Sequence, residues 1–96
     1  MTSKQRANLR SIAQTEKPIT QVGKLGVNDA LIDSLDKAIE KRELIKITVL
    51  ENSGLDAKVV LHEIAEKLSA EPVAATGRKL VLYRRSKSDN VKHIEF

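Results

Sequence analysis

The sequence predicts an α/β domain with the element order α-β-α-β-α-β-β and a mixed four-stranded sheet. Stretches with an apolar residue at every third or fourth position alternate with short runs rich in β-branched residues, which is typical of helices that alternate with strands. The chain has 96 residues, enough for one domain with one hydrophobic core. Strand–helix–strand units almost always form right-handed crossovers within one sheet, and a closing hairpin then makes the sheet mixed.

Each predicted helix follows a residue that can cap free backbone N–H groups. The helices are predicted over residues 3–14, 28–41 and 55–69. Thr2 with Gln5 forms the pattern of a capping box, and Asn28 is a favourable N-cap. Ser53 and Asp56 are candidates for a second capping box before the third helix.

Four segments have the composition of strands: residues 19–22, 44–50, 73–76 and 79–84. The second segment is apolar at every position except Lys46 and Thr48, which indicates a central strand. Residues 77–78 form the turn between the last two strands. Residues 86–96 are mostly polar and charged, so we expect a flexible C-terminal tail after a domain that spans residues 1–85.

The composition excludes several classes of protein. The chain contains no cysteine, so it has neither disulfides nor cysteine-ligated zinc. The first residues lack the apolar segment of a signal peptide, and no stretch approaches the length of a membrane-spanning helix. We therefore expect a soluble, cytoplasmic protein that has no membrane partner.

Positive charge is concentrated at the two ends of the chain, which has a formal net charge of +4. Residues 1–26 carry five basic and one acidic side chain, residues 27–76 carry six and ten, and residues 77–96 carry six and two. If the fold brings the ends together, they form a basic face suited to a polyphosphate partner. Two solvated, partly flexible ends are an equally good interpretation of the charge alone.

The loop Gly23-Lys24-Leu25-Gly26 is a candidate phosphate-binding site. Its glycines let a ligand approach the backbone, the following helix offers free N–H groups, and Lys24 adds a full charge. The motif lacks the pattern of a nucleotide-binding P-loop. A plain tight turn is an alternative for so short a motif, and Asp29 would repel phosphate unless it points away.

Tyr83 and Phe96 are the only aromatic residues, so the chain has no stacking platform for unpaired bases. Contact with nucleic acid would therefore depend on phosphates, sugars and shape, and affinity should fall steeply with salt. We interpret Tyr83 as a core residue. The candidate phosphate contacts outside the loop are Lys4, Arg6, Arg10, Lys17, Arg78, Lys79, Arg84 and Arg85.

No set of residues has the pattern of a catalytic or metal site. His62 lacks a second histidine four residues later, where Glu66 stands, so the zinc-protease motif is absent. No serine lies in a nucleophile elbow. The acidic residues of the second helix are more simply its solvated face than a metal cluster. We therefore expect no enzymatic activity, metal, cofactor or small-molecule substrate.

Three segments, in this order and spacing, suggest a family. They are residues 22–27 (VGKLGV), residues 42–47 (RELIKI) and residues 77–84 (GRKLVLYR). Together they resemble the signature of the CRM domain, named for chloroplast RNA splicing and ribosome maturation, in a family that includes stand-alone bacterial proteins of the YhbY type. The resemblance covers about residues 2–85.

The resemblance implies an RNA-binding fold similar to the C-terminal domain of translation initiation factor three. It also implies RNA contact at the Gly-x-x-Gly loop, which corresponds here to residues 23–26. Bacterial members of the family are linked with precursors of the large ribosomal subunit. A lone domain of this length resembles the bacterial form.

The residues and the resemblance together predict a non-catalytic, monomeric protein that binds structured ribosomal RNA during assembly of the large ribosomal subunit. A protein-binding adaptor that uses the acidic second and third helices is the alternative. The segment from Glu43 to Lys46 is interpreted as structural, with Glu43 and Lys46 held by local pairing. An RNA contact by Lys46 is the less favoured interpretation.

Overall fold

The structure, a computed structural model, describes all of residues 1–96 and confirms the predicted α/β architecture and element order. The elements are α1 (Ser3–Ala13), β1 (Thr20–Val22), α2 (Asp29–Arg42), β2 (Leu44–Val49), a 3-10 helix (Glu51–Ser53), α3 (Ala57–Leu68), β3 (Glu71–Thr76) and β4 (Lys79–Tyr83). None of the three α-helices combines the length and the apolar character needed to cross a membrane.

The four strands form one mixed sheet in the order β1-β2-β4-β3. β1 runs parallel to β2, and the other two strand pairs are antiparallel. β2 therefore lies inside the sheet, as its apolar sequence predicts, and β1 and β3 are the edges. Pro72 lies in the edge strand β3 beside a register irregularity, where the missing N–H of proline is tolerated.

Each face of the sheet packs into its own hydrophobic cluster, because side chains alternate between the faces along each strand. The larger cluster joins one face to α2 and α3. Its buried residues are Val22, Leu35, Ile39, Ile45, Ile47, Val49, Val60, Leu61, Ile64, Ala65, Leu68, Leu80 and Leu82. The smaller cluster joins the other face to α1, and its buried residues are Leu9, Ala13, Leu44, Val73, Val81 and Tyr83. α1 is thus attached through few side chains.

The first two helices begin as predicted. The hydroxyl of Thr2 accepts a hydrogen bond from the N–H of Gln5 at 3.1 Å, and the side chain of Gln5 accepts one from the N–H of Thr2 at 3.0 Å. The side chain of Asn28 accepts a hydrogen bond from the N–H of Leu31 at 2.9 Å. A cap of this kind contributes about 1 kcal/mol, so both helix starts are well determined by their sequences.

The start of α3 differs from the prediction. Ser53 ends the 3-10 helix, and its hydroxyl accepts a hydrogen bond from the N–H of Leu55 at 3.2 Å. Asp56 is the N-cap, because its carboxylate accepts hydrogen bonds from the N–H groups of Lys58 and Val59. The predicted capping box is therefore wrong, because the 3-10 turn ends at Ser53 and the helix starts after Asp56.

The C-terminal segment, residues 86–96, contains no helix or strand but lies against the rest of the domain. The carboxylate of Glu43 is fully buried and accepts hydrogen bonds from the backbone N–H groups of Ser86 and Ile94, both at 2.7 Å. Nδ1 of His93 lies 2.6 Å from the same carboxylate. Glu43 also has a φ of 65° with a ψ of −36°, a sparsely populated conformation outside the left-handed helical region, which costs about 1–3 kcal/mol.

Two further contacts hold this segment. Glu40 accepts hydrogen bonds from the hydroxyl of Ser86 and the backbone N–H of Lys87. The ring of Phe96 meets that of Tyr83 edge to face, with ring centres 4.8 Å apart, which adds about 0.5–1.5 kcal/mol beyond burial. The structure thus differs from the expected flexible tail. The hydrogen bonds to Glu40 join residues 46 and 47 positions apart, so no local sequence pattern reveals them.

The two carboxylates that hold the segment have lowered pKa values. Burial alone raises the pKa of Glu43, but hydrogen bonds from His93 and from two backbone N–H groups outweigh burial, so that the pKa lies below its ordinary value of 4.5. The pKa of Glu40 is lowered chiefly by the hydrogen bond from the backbone N–H of Lys87. Both carboxylates are therefore charged in the folded protein at neutral pH.

We expect the free energy of unfolding to fall as the pH drops below about 4.5. A carboxylate whose folded pKa is lowered stabilises the fold fully above its unfolded pKa, and this contribution is lost as the pH falls through the folded pKa. Changing Glu43 to Gln should lower the free energy of unfolding by roughly 1.5–3 kcal/mol at neutral pH, because the amide brings N–H donors toward N–H groups. It should also reduce the loss in acid. Urea unfolding at neutral and acid pH measures both effects.

The matched control is Glu95→Gln, which changes an exposed glutamate of the same segment. It should unfold like the unchanged protein at both pH values. An acid-dependent loss in Glu43→Gln as large as that of the unchanged protein would contradict the role assigned to Glu43.

Candidate nucleic-acid interface

The sheet face that packs against α1 is only partly covered. Along β4, Tyr83, Val81 and Lys79 point to this face in turn, because side chains alternate along a strand. Tyr83 and Val81 are buried, whereas Lys79 is exposed. α1 ends at Ala13, which leaves the end of the face around Lys79 open.

An open cleft of about 420 Å³ lies between the end of α1 and this part of the sheet. Three cations line it: Arg10 from α1, Lys46 from β2 and Lys79 from β4. The other lining residues are Ala13, Gln14, Ala74, Thr76 and Val81. No carboxylate is among them. We call this surface the helix–sheet cleft.

A second cleft of about 760 Å³, the strand cleft, continues from Lys79 along β1. It is lined by Lys17, Pro18, Ile19, Thr20, Gln21, Thr48 and Lys79. Lys79 therefore belongs to both clefts, and Lys17 adds a fourth cation. This cleft also contains no carboxylate.

A third cleft of about 380 Å³, the loop cleft, leads from β1 to the glycine loop, which is Gly23–Gly26. It is lined by Gln21, Gly23, Lys24, Leu25, Gly26, Asn28 and Leu31. Gln21 lines both this cleft and the strand cleft, so each cleft shares a lining residue with the next and the three lie side by side on the surface. We call this surface the basic face.

The basic face combines positive charge with hydrogen-bonding groups. Its cations are Arg10, Lys17, Lys24, Lys46 and Lys79, and no Asp or Glu lines it. Such a concave surface focuses a positive potential that attracts a polyanion. Its polar side chains are Gln14, Gln21, Asn28, Thr20, Thr48 and Thr76, which can hydrogen-bond to phosphate and sugar oxygens. The arrangement is suited to a nucleic-acid backbone.

Two of the lysines are fixed by contacts within the domain. Nζ of Lys46 donates a hydrogen bond to the carbonyl of Ala13, the last residue of α1, at 3.3 Å, where the helix dipole favours a positive charge. Nζ of Lys79 lies 2.9 Å from the hydroxyl oxygen of Thr48. The predicted local pairing of Glu43 with Lys46 is therefore wrong, since the two side chains have partners in different parts of the fold.

The glycine loop is a tight turn closed by a hydrogen bond from the N–H of Gly26 to the carbonyl of Gly23 at 2.9 Å. Lys24 and Leu25 lie at its tip, and Leu25 is 88% exposed. Gly26 has a φ of +67°, a conformation that favours glycine. A Cβ at Gly23 would meet Leu50 at 3.5 Å, an ordinary contact. The turn and the phosphate-binding interpretation are thus compatible, because the turn projects Lys24 outward.

Arg84 lies away from the basic face and has partners on α2 and α3. Its guanidinium lies 2.7 Å from a carboxylate oxygen of Asp36 and 3.2 Å from one of Glu40. It also donates a hydrogen bond to the carbonyl of Leu68 at 2.9 Å, and its side chain is only 17% exposed. These contacts give Arg84 a structural role on the opposite side of the sheet.

The structure also separates other candidate contacts from the basic face. Arg78 donates a hydrogen bond to the carbonyl of Leu55 at 2.9 Å, beside the start of α3. Arg6 lies 3.8 Å from the carboxylate of Glu71. The exposed residues Lys4 and Arg85 line none of the three clefts. Of the contacts predicted from the sequence, the basic face therefore contains Arg10, Lys17, Lys79 and the glycine loop.

Three residues of the basic face were not among the predicted contacts: Lys46, for which RNA contact was the less favoured interpretation, Gln21 and Thr48. The available signal was the alternation in β2, where Lys46 and Thr48 are the two polar positions of an otherwise apolar strand. Two polar residues spaced by two lie on one face of a strand. That pattern indicates an uncovered part of the sheet.

Neither aromatic ring is available on the basic face. Tyr83 and Phe96 pack against each other beside the smaller cluster. Burial, followed by the charge of Glu43, raises the pKa of the Tyr83 hydroxyl. The interface therefore offers cations and hydrogen bonds, and no ring on which a base could stack.

Comparison with known proteins identifies relatives over nearly the whole chain. The model of the CRS1/YhbY (CRM) domain matches residues 1–84. A protein of Bacillus subtilis named "Probable RNA-binding protein YqeI" is 42% identical over 95 residues, which cover 99% of this chain and 97% of that protein. An RNA-binding protein of Haemophilus influenzae is 25% identical over 92 residues, which cover 96% of this chain and 93% of that protein.

A solved structure has the same fold. The solution structure of SAV1595 from Staphylococcus aureus matches with a TM-score of 0.79 and 38% sequence identity, over 98% of this chain and 99% of that one. The family resemblance inferred from residues 22–27, 42–47 and 77–84 is thereby confirmed. With a family model that matches residues 1–84 and relatives named as RNA-binding proteins, the chain belongs to the CRS1/YhbY (CRM) domain family.

Proposed function

We propose that this protein is a non-catalytic, monomeric RNA-binding protein that uses the basic face to bind folded ribosomal RNA during assembly of the large ribosomal subunit in the cytoplasm. The observation that carries the proposal is a row of three adjoining clefts that present five cations and no carboxylate. The chain belongs to the CRM family, and relatives of the chain are named RNA-binding proteins. Both findings support RNA as the partner.

The chemistry of the basic face favours double-helical or otherwise folded RNA over single strands. Single-strand binders combine a basic groove with aromatic rings that stack on bases, and the two rings of this chain pack on each other. Folded RNA displays a regular array of phosphates and 2′-hydroxyls, which cations, amides and hydroxyls recognise without stacking. The side chains of the basic face are of these three types.

The assignment to the large ribosomal subunit rests on the family. Stand-alone bacterial CRM proteins are linked with precursors of that subunit, and this chain matches the family model over residues 1–84. Ribosomal RNA is the most abundant folded RNA of a bacterial cell. It is therefore the partner that we propose.

The alternative, a protein-binding adaptor that uses acidic helices, is less well supported. On α2, Asp36 and Glu40 pair with Arg84, and Asp33 lies 3.2 Å from Lys37. These acidic side chains have cationic partners within the domain, so they present little net charge to a basic protein. The cations of the basic face have no such carboxylate partners among its lining residues.

Changing Lys24 to Ala should weaken RNA binding and reduce the slope of log affinity against log salt by about one, because one phosphate contact is lost. The free energy of unfolding should stay within about 0.5 kcal/mol, since the side chain is exposed. Fluorescence anisotropy with an RNA duplex of about 20 base pairs measures the affinity. Leu25→Ala, at the neighbouring position of the turn, is the control and should leave the salt slope unchanged. An unaltered slope in Lys24→Ala would exclude the Lys24 side chain from phosphate binding.

Changing Lys79 to Glu should lower the affinity for the same duplex by at least about tenfold at moderate salt, because Lys79 lines both the helix–sheet cleft and the strand cleft. Lys67→Glu makes the same charge change at an exposed position of α3 and should bind within about twofold of the unchanged protein. Equal losses in both variants would mean that only net charge matters, and would refute the basic face as the binding site.

Crosslinking in growing cells, followed by sequencing of the attached RNA, tests the ribosomal assignment. We expect the crosslinks to concentrate in large-subunit ribosomal RNA from particles lighter than the mature subunit, and to be lost in Lys79→Glu. Crosslinks that map chiefly to messenger or transfer RNA would refute the role in subunit assembly while leaving RNA binding intact.

A further inference from the structure

The sheet face that carries the basic face is divided into three parts along β4. Lys79 lies in the open part, Val81 packs in the smaller cluster with α1, and Tyr83 packs against Phe96 of the C-terminal segment. α1 therefore lies between the basic face on one side and residues 86–96 on the other. The C-terminal segment can therefore support α1 from the side away from the basic face.

The C-terminal segment and α1 meet in one apolar cluster. Ile94 and Phe96 pack against the smaller cluster, which contains Leu9 and Ala13 of α1. These are the two buried residues of the helix. Without the C-terminal segment, the cluster would lose its only aromatic pair and expose the ring of Tyr83.

The segment is also held by two carboxylates at the end of α2. The carboxylate of Glu43 binds the N–H groups of Ser86 and Ile94, and Glu40 binds Ser86 and the N–H of Lys87. Hydrogen bonds that involve a charged group are stronger than those between two neutral groups. Residues 86–94 are thus anchored at the end of α2, and Ile94 and Phe96 reach the smaller cluster.

Movement of α1 would change the basic face. Arg10 and Gln14 line the helix–sheet cleft from the α1 side, and Lys46 bonds to the carbonyl of Ala13. A shift of α1 on the sheet therefore displaces a cation of the binding surface and the partner of a second cation. The geometry of the cleft depends on how firmly α1 is held.

We propose that residues 86–96 act as a clasp that fixes α1 on the sheet and thereby sets the geometry of the helix–sheet cleft. The clasp itself is independent of the proposed function, whereas its effect on the cleft rests on RNA binding there. Phe96 and Glu43 are positioning residues in this account, since neither lines the basic face.

Hydrogen exchange of backbone amides tests the clasp in the full chain. Phe96→Ala should accelerate exchange of the α1 amides by about tenfold or more, and leave the α3 amides within about twofold, because α3 packs in the other cluster. Ile64→Val, which trims a buried residue of α3, is the matched control and should accelerate the α3 amides without a selective effect on α1. Glu95→Ala should change neither helix.

Equal acceleration of α1 and α3 in Phe96→Ala would overturn the clasp, because the segment would then stabilise the domain as a whole. Unchanged α1 exchange would overturn it as well. The exchange experiment needs no RNA, so its result stands even if Lys79→Glu shows that the basic face does not bind RNA.

The effect on the cleft has a separate signature. Phe96→Ala should weaken binding of the RNA duplex by about three- to tenfold at a temperature where the variant is folded, without changing the salt slope, because no cation is removed. A parallel fall in affinity and slope would assign the loss to a missing phosphate contact and refute positioning. Unchanged affinity with accelerated α1 exchange would refute the link between clasp and cleft.

Discussion

The alternation of side chains along β2 and β4 is the constraint on which the rest of the molecule depends. The two strands pair antiparallel, with Leu44 opposite Tyr83 and Thr48 opposite Lys79. One face of the pair is apolar throughout and packs against α2 and α3. The other face changes along its length from apolar to polar, so a single short helix can cover the apolar end only. The basic face exists because this covering helix stops at Ala13.

Lys46 lies at the boundary between the apolar part and the polar part of this face. It is half-buried between the cluster under α1 and the open cleft, and its ammonium group bonds to the carbonyl of Ala13. Burying a charge without a partner is costly. The carbonyl at the helix end provides that partner, while the same side chain contributes to the positive potential of the cleft. Lys46 therefore contacts the end of α1 and adds positive charge to the cleft at the same time.

The parts of the fold that could be predicted from the sequence are those fixed by local chemistry. Thr2 caps Gln5 and Asn28 caps Leu31 within three residues, and the apolar run of β2 identifies a central strand without any knowledge of its neighbours. The cap of α3 was predicted wrongly, because the sequence does not reveal the 3-10 turn. That turn ends at Ser53 and leaves Asp56 as the N-cap of α3.

Interactions between residues that are distant in the chain could not be predicted from the sequence. Glu43 and Lys46 are three positions apart and opposite in charge, which favours a local pair, yet their partners lie in the C-terminal segment and in α1. Arg84 has the charge expected of a phosphate contact, but its half-buried side chain pairs with Asp36 and Glu40. Charge counts along the chain indicated a basic surface. Only the pairing of strands shows which cations face the same way.

The burial of Glu43 has a consequence for the way the chain is made. Its hydrogen-bond partners lie 43 to 51 residues further along the sequence, so the ribosome synthesises them after it. Until those residues emerge, the carboxylate has no donors to replace water, and desolvating it would be unfavourable. The junction between α2 and β2 is therefore completed only after residues 86–94 have been synthesised, so this part of the native state cannot form in step with the synthesis of α2 and β2.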